Sequence, residues 1–450
     1  MMTMNNESPC AHSPLWKYAL PIYIPSVIYS AGRGAVNPVL ALAALTVGFS
    51  SAGSSAVVGI FGAVGVLLSP LIGRFINRIG DRASLISGSI ISAAALVLSF
   101  VALALGKHFM ARILLVLIVF MLAIGANIWA LARQTYMAEN VPAAYRARAL
   151  STFGGMTRIG NLLGPLLATG ALTLWTLRSV FIVQLVCVIV SLAFIVAFMT
   201  PQTPPEESKD SQALLANNHA DSISQSNESI TNTAQHRSAA SIESFYVQKE
   251  TSKFALLVMG IGMNALTVLR ANRNVIVPLW GTFLGLPEHF ITATFAVTAL
   301  LDAAMFAFSG ILMDKRGRIW AIIPSLTIMP LAIIIMIAWR SPIGFVVGSA
   351  LLGFGNGFGS GIIMTTGADL APSKNKASFL GVWQAIVAVG TACGPFIISG
   401  LTAVASLAVG LGATAAIGIF GALWCALLTK PAYEHLGIDL RGEPLPRGAS

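Results

Sequence analysis

Residues 160–170 read Gly-Asn-Leu-Leu-Gly-Pro-Leu-Leu-Ala-Thr-Gly, and residues 390–400 read Gly-Thr-Ala-Cys-Gly-Pro-Phe-Ile-Ile-Ser-Gly. The shared glycines and proline of the second stretch lie 230 positions after those of the first (394 − 164). Glycine lets helices approach closely and proline bends a helix. The repeat therefore predicts a closely packed pair of equivalent helices, with or without a hinge motion, at Gly160, Gly164, Pro165, Gly170, Gly390, Gly394, Pro395 and Gly400.

The composition is that of a membrane protein. The chain has 450 residues, of which 56% are hydrophobic and only 10% are charged. Soluble domains carry about 25% charged residues. A helix needs roughly 20 apolar residues to span a bilayer, and twelve runs of this kind recur along the chain. We expect an all-α membrane protein with twelve transmembrane helices.

One long polar segment divides these runs into six and six. It is rich in Ser, Asn, Gln and Glu, so it cannot bury enough apolar surface to offset the entropy of ordering. The pattern predicts five regions: a cytoplasmic tail (1–17), a six-helix bundle (18–199), a flexible cytoplasmic linker (200–252), a second six-helix bundle (253–429) and a second cytoplasmic tail (430–450).

The net charge of +10 sets orientation and does not indicate nucleic acid. Lys and Arg concentrate on cytoplasmic loops of multi-pass proteins. Both termini are then cytoplasmic, in the cytoplasmic (inner) membrane, and the inside loops hold Arg74, Arg78, Arg82, Arg146, Arg148, Lys315, Arg316, Arg318, Lys374 and Lys376. The four cysteines have no metal-ligand spacing, so neither a metal nor another cofactor is expected.

The two halves also match in their loops. Gly73–Gly80 precedes the third span, and Gly310–Gly317 lies 237 positions later, before the ninth (310 − 73). Residues 310–318 fit the pattern G-x-x-x-D-[RK]-x-G-[RK] in full. On these loops, and on its division into six and six spans, the chain resembles the major facilitator superfamily over both halves.

The resemblance implies two pseudo-symmetric six-helix bundles that transport a solute by alternating access. In that family the loop motif closes the inside gate, with its Asp against a helix N-terminus of the other half, where a carboxylate is stabilised. The implied gating residues are Gly73, Asn77, Arg78, Gly80, Asp81, Gly310, Asp314, Lys315, Gly317 and Arg318, and the implied gate networks are Glu139, Arg146, Asp369 and Lys376. Asn77 is neutral, so the gate contact of the first loop is expected to be weaker or to be made by Asp81 instead. The alternative is that these charges only solvate a tight turn.

The glycine–proline motif of the fifth span resembles the one typical of drug–proton antiporters in the superfamily. It departs from that pattern at Ala168-Thr169-Gly170, where paired glycines are common.

Charges inside the spans mark a central site. Arg33 and Arg270 share the offset of 237, and Arg273 follows one turn later. A charge at the bilayer centre costs at least about 2.5–3.5 kcal/mol, so these side chains should face the bundle interior. They predict a site for an anionic group, together with Asn37, Asn274 and Gln384. Paired arginines at these positions resemble those of organophosphate–phosphate exchangers. The alternative is that they pair with backbone carbonyls or carboxylates and hold the bundle shut.

Asp302 is the acidic residue well inside a span. Burial raises the pKa of a carboxyl group and a nearby arginine lowers it. This competition makes Asp302 a candidate proton carrier. A fixed salt bridge to Arg270 or Arg273 is the equal alternative.

We expect a secondary active transporter of a small organic solute that does not use ATP directly, since the chain has no nucleotide-binding Walker loop. We do not expect an enzyme, since the sequence has no cluster of His and carboxylates near one membrane face. The first expectation is proton-coupled efflux of drug-like or metabolic compounds by antiport. The alternative is a carrier or exchanger of an organic anion or phosphate ester, and a membrane enzyme or receptor ranks below both. The expected partners are the solute, a coupling ion (a proton) and the lipid bilayer, without nucleic acid, and the expected state is a monomer.

Overall fold

The computed structural model describes residues 19–141, 143–199, 252–372 and 376–443. Within these ranges the fold is built from helices alone, with no β-sheet. The predicted tail 1–17 and most of the predicted linker lie outside the described residues.

The first half contains six long helices. A short π-helical turn, Ala19–Tyr23, leads into the first of them. The six are α1 (Ile24–Thr46), α2 (Ser51–Ile79), α3 (Asp81–Ala104), α4 (Phe109–Asn140), α5 (Ala143–Leu174) and α6 (Leu177–Phe198).

The second half repeats this order with one interruption. Its helices are α7 (Lys253–Phe283), α8 (Glu288–Arg316), α9 (Ile319–Ala338), α10a (Pro342–Phe358), α10b (Ile362–Leu370), α11 (Lys376–Val404) and α12 (Leu407–Glu434). Serine hydroxyls accept hydrogen bonds from backbone amides of the first turn at four helix starts, at Ser50, Ser252, Ser341 and Ser406. The predicted pair of six-helix bundles is confirmed, and α12 continues five residues beyond the predicted end at 429.

The halves correspond in detail at their second turns. Gly80 ends α2 with a φ of 83°, and Gly317 ends α8 with a φ of 96°. Side chains rarely adopt this left-handed region, so glycine serves both turns. The offset of 237 found in the sequence is therefore a structural correspondence.

Ten spans are long and apolar enough to cross a membrane: α2, α3, α4, α6, α7, α8, α9, α10a with α10b, α11 and α12. The other two helices of the bundles, α1 and α5, each carry an arginine and an asparagine, and they pack against each other. The chain is a multi-pass membrane protein whose central helices are its more polar ones.

Among the described residues, the hydrogen bonds between the halves lie from one end of the helices to their middle. At that end Ser399 Oγ of α11 donates to the Ala52 carbonyl of α2 at 2.8 Å, and the Thr169 and Thr292 hydroxyls of α5 and α8 lie 3.1 Å apart. At the opposite end no described residue forms a hydrogen bond between the halves, and Asp314 is exposed. We call these the closed end and the open end.

The start of α1 and the end of α12 both lie at the open end, because α1 reaches α2, and α11 reaches α12, at the closed end. The open end is therefore on the side that carries both ends of the described chain.

Candidate functional site

Arg33 presents a free guanidinium. It lies nine residues into α1, roughly 14 Å from the start of that helix at 1.5 Å per residue. Its Cζ lies 5.4 Å from the centre of the Phe61 ring of α2. Among the described residues no hydrogen bond or ion pair to Arg33 is formed, and its Nε is buried without a partner. The other two guanidinium nitrogens are not enclosed in this way, so the charge is available to a ligand.

Arg270, the counterpart of Arg33 in α7, is already engaged. Its Nη2 donates to the Gly359 carbonyl at 2.5 Å. Gly359 follows the last residue of α10a, where helix carbonyls lack amide partners and attract cations. Ser309 of α8 donates to the neighbouring Phe358 carbonyl.

The break at which Arg270 binds was not expected from the sequence. Within the glycine run 353–361, Gly357 packs on Asp302 and Met305 of α8. The run nevertheless ends in a turn at Gly361, whose φ is 82°. The tenth span is therefore two helices, since a left-handed residue cannot continue an α-helix.

Arg273 and Asp302 form an ion pair. Arg273 Nη1 lies 3.1 Å from Asp302 Oδ2, and the side chains are 16% and 17% exposed. Asn356 of α10a donates to the same oxygen at 2.6 Å. The second oxygen, Oδ1, is buried and has no hydrogen-bond partner among the described residues. The structure thus places Asp302 against Arg273, one of the two partners considered, and proton carriage stays a prediction.

Arg158 reaches across from the first half. Its Nη1 donates to Ser360 Oγ at 3.1 Å, and its Cζ lies 4.0 Å from the centre of the Phe306 ring of α8. Arg158 and Arg270 therefore meet the break in span ten from opposite halves. The contact of Arg158 with Phe306 joins α5 and α8, as does the Thr169–Thr292 pair, but it lies farther from the closed end.

Sequence reasoning missed Arg133 of α4. It is 5% exposed, and its Nε donates to the Trp129 carbonyl at 2.9 Å. Its Cζ lies 4.9 Å from the Phe153 ring and 5.9 Å from the Tyr29 ring, which stacks on Trp129 at 4.0 Å. A lone arginine in an apolar run was the signal available, because such a charge is costly in a span.

The middle parts of the described helices hold five arginines and one aspartate, a formal charge of +4 (5 − 1). These residues are Arg33, Arg133, Arg158, Arg270, Arg273 and Asp302. Three of these four net charges lie in the first half, whose arginines form no salt bridge with a described carboxylate.

The predicted polar companions of the arginines are not engaged. Asn37 and Asn274 are half-buried, and Gln384 is exposed. Within the described ranges none of the three side chains forms a hydrogen bond, so their assignment to the site stays a prediction.

The loop residue Asp314 does not lie against a helix of the other half. Its side chain is 82% exposed, and its nearest cation is Arg318 at 3.9 Å. Lys315, Asn77 and Arg78 are exposed as well. No described residue of the first half pairs with Asp314, and the side chains at the start of α5 (142–151) lie outside the described residues.

Arg318 and Asp369 instead tie the second half together. Arg318 Nε and Nη2 donate to Asp369 Oδ2 and Oδ1 at 2.8 and 3.3 Å, and Tyr433 Oη donates to Oδ2 at 3.1 Å. Burial alone lowers the pKa of Arg318, but the hydrogen bonds and charge of Asp369 outweigh it, and that pKa is raised. Asp81, at the position equivalent to Arg318, is buried at the start of α3.

The remaining gate residues, Glu139, Arg146 and Lys376, have side chains outside the described residues.

The two glycine–proline motifs pack closely but unequally. A Cβ on Gly160 would lie 2.5 Å from the Val27 carbonyl of α1, and one on Gly390 would lie 2.6 Å from the Asn264 carbonyl of α7. Gly170 and Gly400 have open space around them. Packing at the first two glycines of each copy agrees with the prediction, and hinge motion stays a prediction.

A family model described as Major Facilitator Superfamily matches residues 22–271 and 254–447. A comparison with curated proteins gives no match.

Solved structures share the fold. A POT family transporter in complex with 5-aminolevulinic acid is 13% identical with a TM-score of 0.67, covering 95% of this chain and 99% of that chain. The peptide transporter POT in complex with sulfate is 14% identical with a TM-score of 0.67, covering 92% and 94%. A D-xylose–proton symporter is 16% identical with a TM-score of 0.66, covering 96% and 100%.

Proposed function

The chain belongs to the Major Facilitator Superfamily, and from this premise we propose that it carries a small organic anion together with a proton by alternating access. Membership makes it a transporter. The substrate class and the coupling ion are our proposals.

The observation that carries the anion assignment is the unpaired guanidinium of Arg33. A charged side chain inside a membrane span costs at least about 2.5–3.5 kcal/mol, and one that is retained there marks a functional site. Arg270 differs from Arg33 in that its Nη2 already donates a hydrogen bond to the Gly359 carbonyl. A carboxylate or phosphate ester fits the planar fork of Arg33 in a bidentate way.

Proton coupling follows from the ion pair of the second half. Asp302 neutralises Arg273 while it is charged. Protonation of Asp302 would weaken that pair and release a second guanidinium towards the anion. Proton binding and anion binding would then favour each other, and this reciprocity is the thermodynamic basis of symport.

Drug efflux by antiport was the first expectation from the sequence and stays an untested prediction. It depended on the motif of span five, which in the structure seats α5 against α1. That packing accounts for Gly160 and Gly164 without reference to a substrate. The positive charge between the halves is unfavourable to cationic drugs, so we place the anion carrier first.

We further propose that the open end faces the cytoplasm in the cytoplasmic membrane. Basic side chains collect there on the turns after α2 and α8, including Arg74, Arg78, Lys315 and Arg316. A monomeric state stays a prediction.

The test is uptake into proteoliposomes of radiolabelled carboxylates, phosphate esters, neutral sugars and organic cations under an imposed pH gradient. We expect uphill uptake of an anion, driven by protons moving in the same direction, and its loss in Arg33→Gln with partial recovery in Arg33→Lys. Arg112→Gln, in the first turn of α4, is the matched control and retains uptake. Uptake of cations with anions ignored, or full anion uptake by Arg33→Gln, contradicts the assignment.

The coupling step has its own variant, Asp302→Asn. We expect it to abolish uphill uptake and to preserve exchange of labelled for unlabelled anion, since the amide cannot carry the proton. Uphill uptake at the wild-type level would make Asp302 a structural partner of Arg273 only.

A further inference from the structure

We propose that a groove between α7, α11 and α12 binds one phospholipid with an anionic head group, whose acyl chain lies along α7 and whose phosphate meets Lys253. The groove has a volume of about 710 Å³ and does not contact the arginine cluster. It is a site separate from the transported solute.

The wall of the groove selects hydrocarbon. Only two of the residues that line it, Lys253 and Asn264, have polar side chains. The Asn264 amide is fully used: its Nδ2 donates to the Gly260 and Ile386 carbonyls at 2.9 and 3.0 Å, and its Oδ1 accepts from the Gly390 amide at 2.7 Å. No polar group of Asn264 is left for a ligand, so an apolar chain is the occupant that fits.

The length of the groove suits an acyl chain. Its lining residues on α7 run from Lys253 to Val268. Fifteen residues of α-helix span roughly 22 Å. One leaflet contributes roughly half of a 30 Å hydrocarbon core. A chain that enters at the open end therefore finds a continuous path through its whole leaflet.

The rim of the groove supplies the charge. Lys253 is the first residue of α7, is exposed, and forms no ion pair with any described residue. Lys430 lies at the same end of α12, but Glu434 partners it at 3.8 Å. Lys253 thus leaves one uncompensated cation at the depth of the lipid phosphates, where basic residues attract anionic lipids.

The test uses the delipidated full chain in detergent. Native mass spectrometry follows its titration with phosphatidylglycerol and with phosphatidylcholine of the same acyl chains. We expect one tightly bound phosphatidylglycerol, preferred over phosphatidylcholine by about fivefold, as one basic residue near a head group provides. Lys253→Gln should remove the preference, and Lys430→Gln should retain it.

A second variant tests the acyl path. Gly260 lines the groove, and a Cβ added there meets only Ile386 at 3.4 Å, so Gly260→Leu fills the groove without a backbone clash. We expect weaker binding of both lipids and an unchanged thermal unfolding profile in detergent. Wild-type preference in Lys253→Gln, wild-type binding in Gly260→Leu, or equal binding of the two lipids by the unmodified protein overturns the proposal.

Discussion

The two copies of one glycine–proline pattern are packed by different forces. In the first half a Cβ on Gly164 would lie 2.5 Å from the Ala35 amide nitrogen, so α5 meets the backbone of α1. In the second half the equivalent Gly394 faces Asn272 Oδ1, at 2.7 Å from such a Cβ. The same spacing of glycines therefore produces close van der Waals packing in one half and side-chain hydrogen bonding in the other.

In the second half a side chain also bonds to the helix backbone. Ile386 and Gly390 are the acceptor and donor of one i→i+4 backbone bond of α11, and the Asn264 amide bonds to both. Side-chain insertion of this kind is one of the known causes of helix bending. The difference teaches that a duplicated sequence pattern need not produce the same helix contacts. In α11 the backbone is bonded to the Asn264 side chain at Ile386 and Gly390, whereas α5 packs directly on the backbone of α1.

The largest effect expected from this comparison is at Gly164. In Gly164→Leu the side chain would meet backbone atoms of α1, which cannot move aside cheaply. We expect a loss of at least about 3 kcal/mol in unfolding free energy, or failure to fold. Thermal unfolding in detergent measures it.

The matched control for Gly164→Leu is Gly170→Leu, on the same helix, where nothing lies within 4 Å. It should unfold within a few degrees of the unmodified protein. Equal stability of the two variants would show that α5 is not seated on α1 as described.

The arginines give the next largest contrast. Arg270→Gln removes a charged hydrogen bond from the end of α10a, which should cost about 1.5–3 kcal/mol. Arg33→Gln removes a charge without a partner, so its stability should stay equal or rise. Scanning calorimetry in the absence of substrate compares the two. A larger loss for Arg33→Gln would mean that Arg33 has a structural partner and would remove the basis of the anion site.

The smallest expected effect is at Asn264. In Asn264→Ala the Ile386 carbonyl and the Gly390 amide can bond to each other, so only the side-chain bonds are lost. Interhelical hydrogen bonds in membranes average about 0.6 kcal/mol and reach about 1.7. We expect a loss within that range by equilibrium unfolding. The control is Asn274→Ala, on the same helix and without a side-chain hydrogen bond, which should leave the free energy of unfolding unchanged. An unchanged free energy of unfolding in Asn264→Ala would contradict the bonding of Asn264 to the backbone of α11.

The fold could be predicted because its signals are local or periodic. The apolar runs, the polar linker and the offsets of 230 and 237 are visible in the chain itself. The equivalence of Arg33 and Arg270 came from the same offset. Their different environments could not be predicted, because the partner of Arg270 exists only where span ten breaks at Gly361.

Other parts of the site needed coordinates for the same reason. The choice of Arg273 over Arg270 as partner of Asp302 depends on how α7 and α8 cross. The aromatic surroundings of Arg133 combine residues of α1, α4 and α5, which no sequence spacing relates. The exposure of Asp314 reflects which end of the molecule is open, a property of the conformation that the composition of its loop does not contain.

The most direct test of the account is a pair of distances measured by electron–electron double resonance in nanodiscs. One label pair, at Leu71 and Ile311, reports the open end, and the other, at Ser51 and Leu286, reports the closed end. With the anion that shows Arg33-dependent uptake, at acidic pH, the account predicts that the first distance shortens while the second lengthens. Distances that stay fixed, or that change in the same direction, would contradict alternating access around the charged space between the halves.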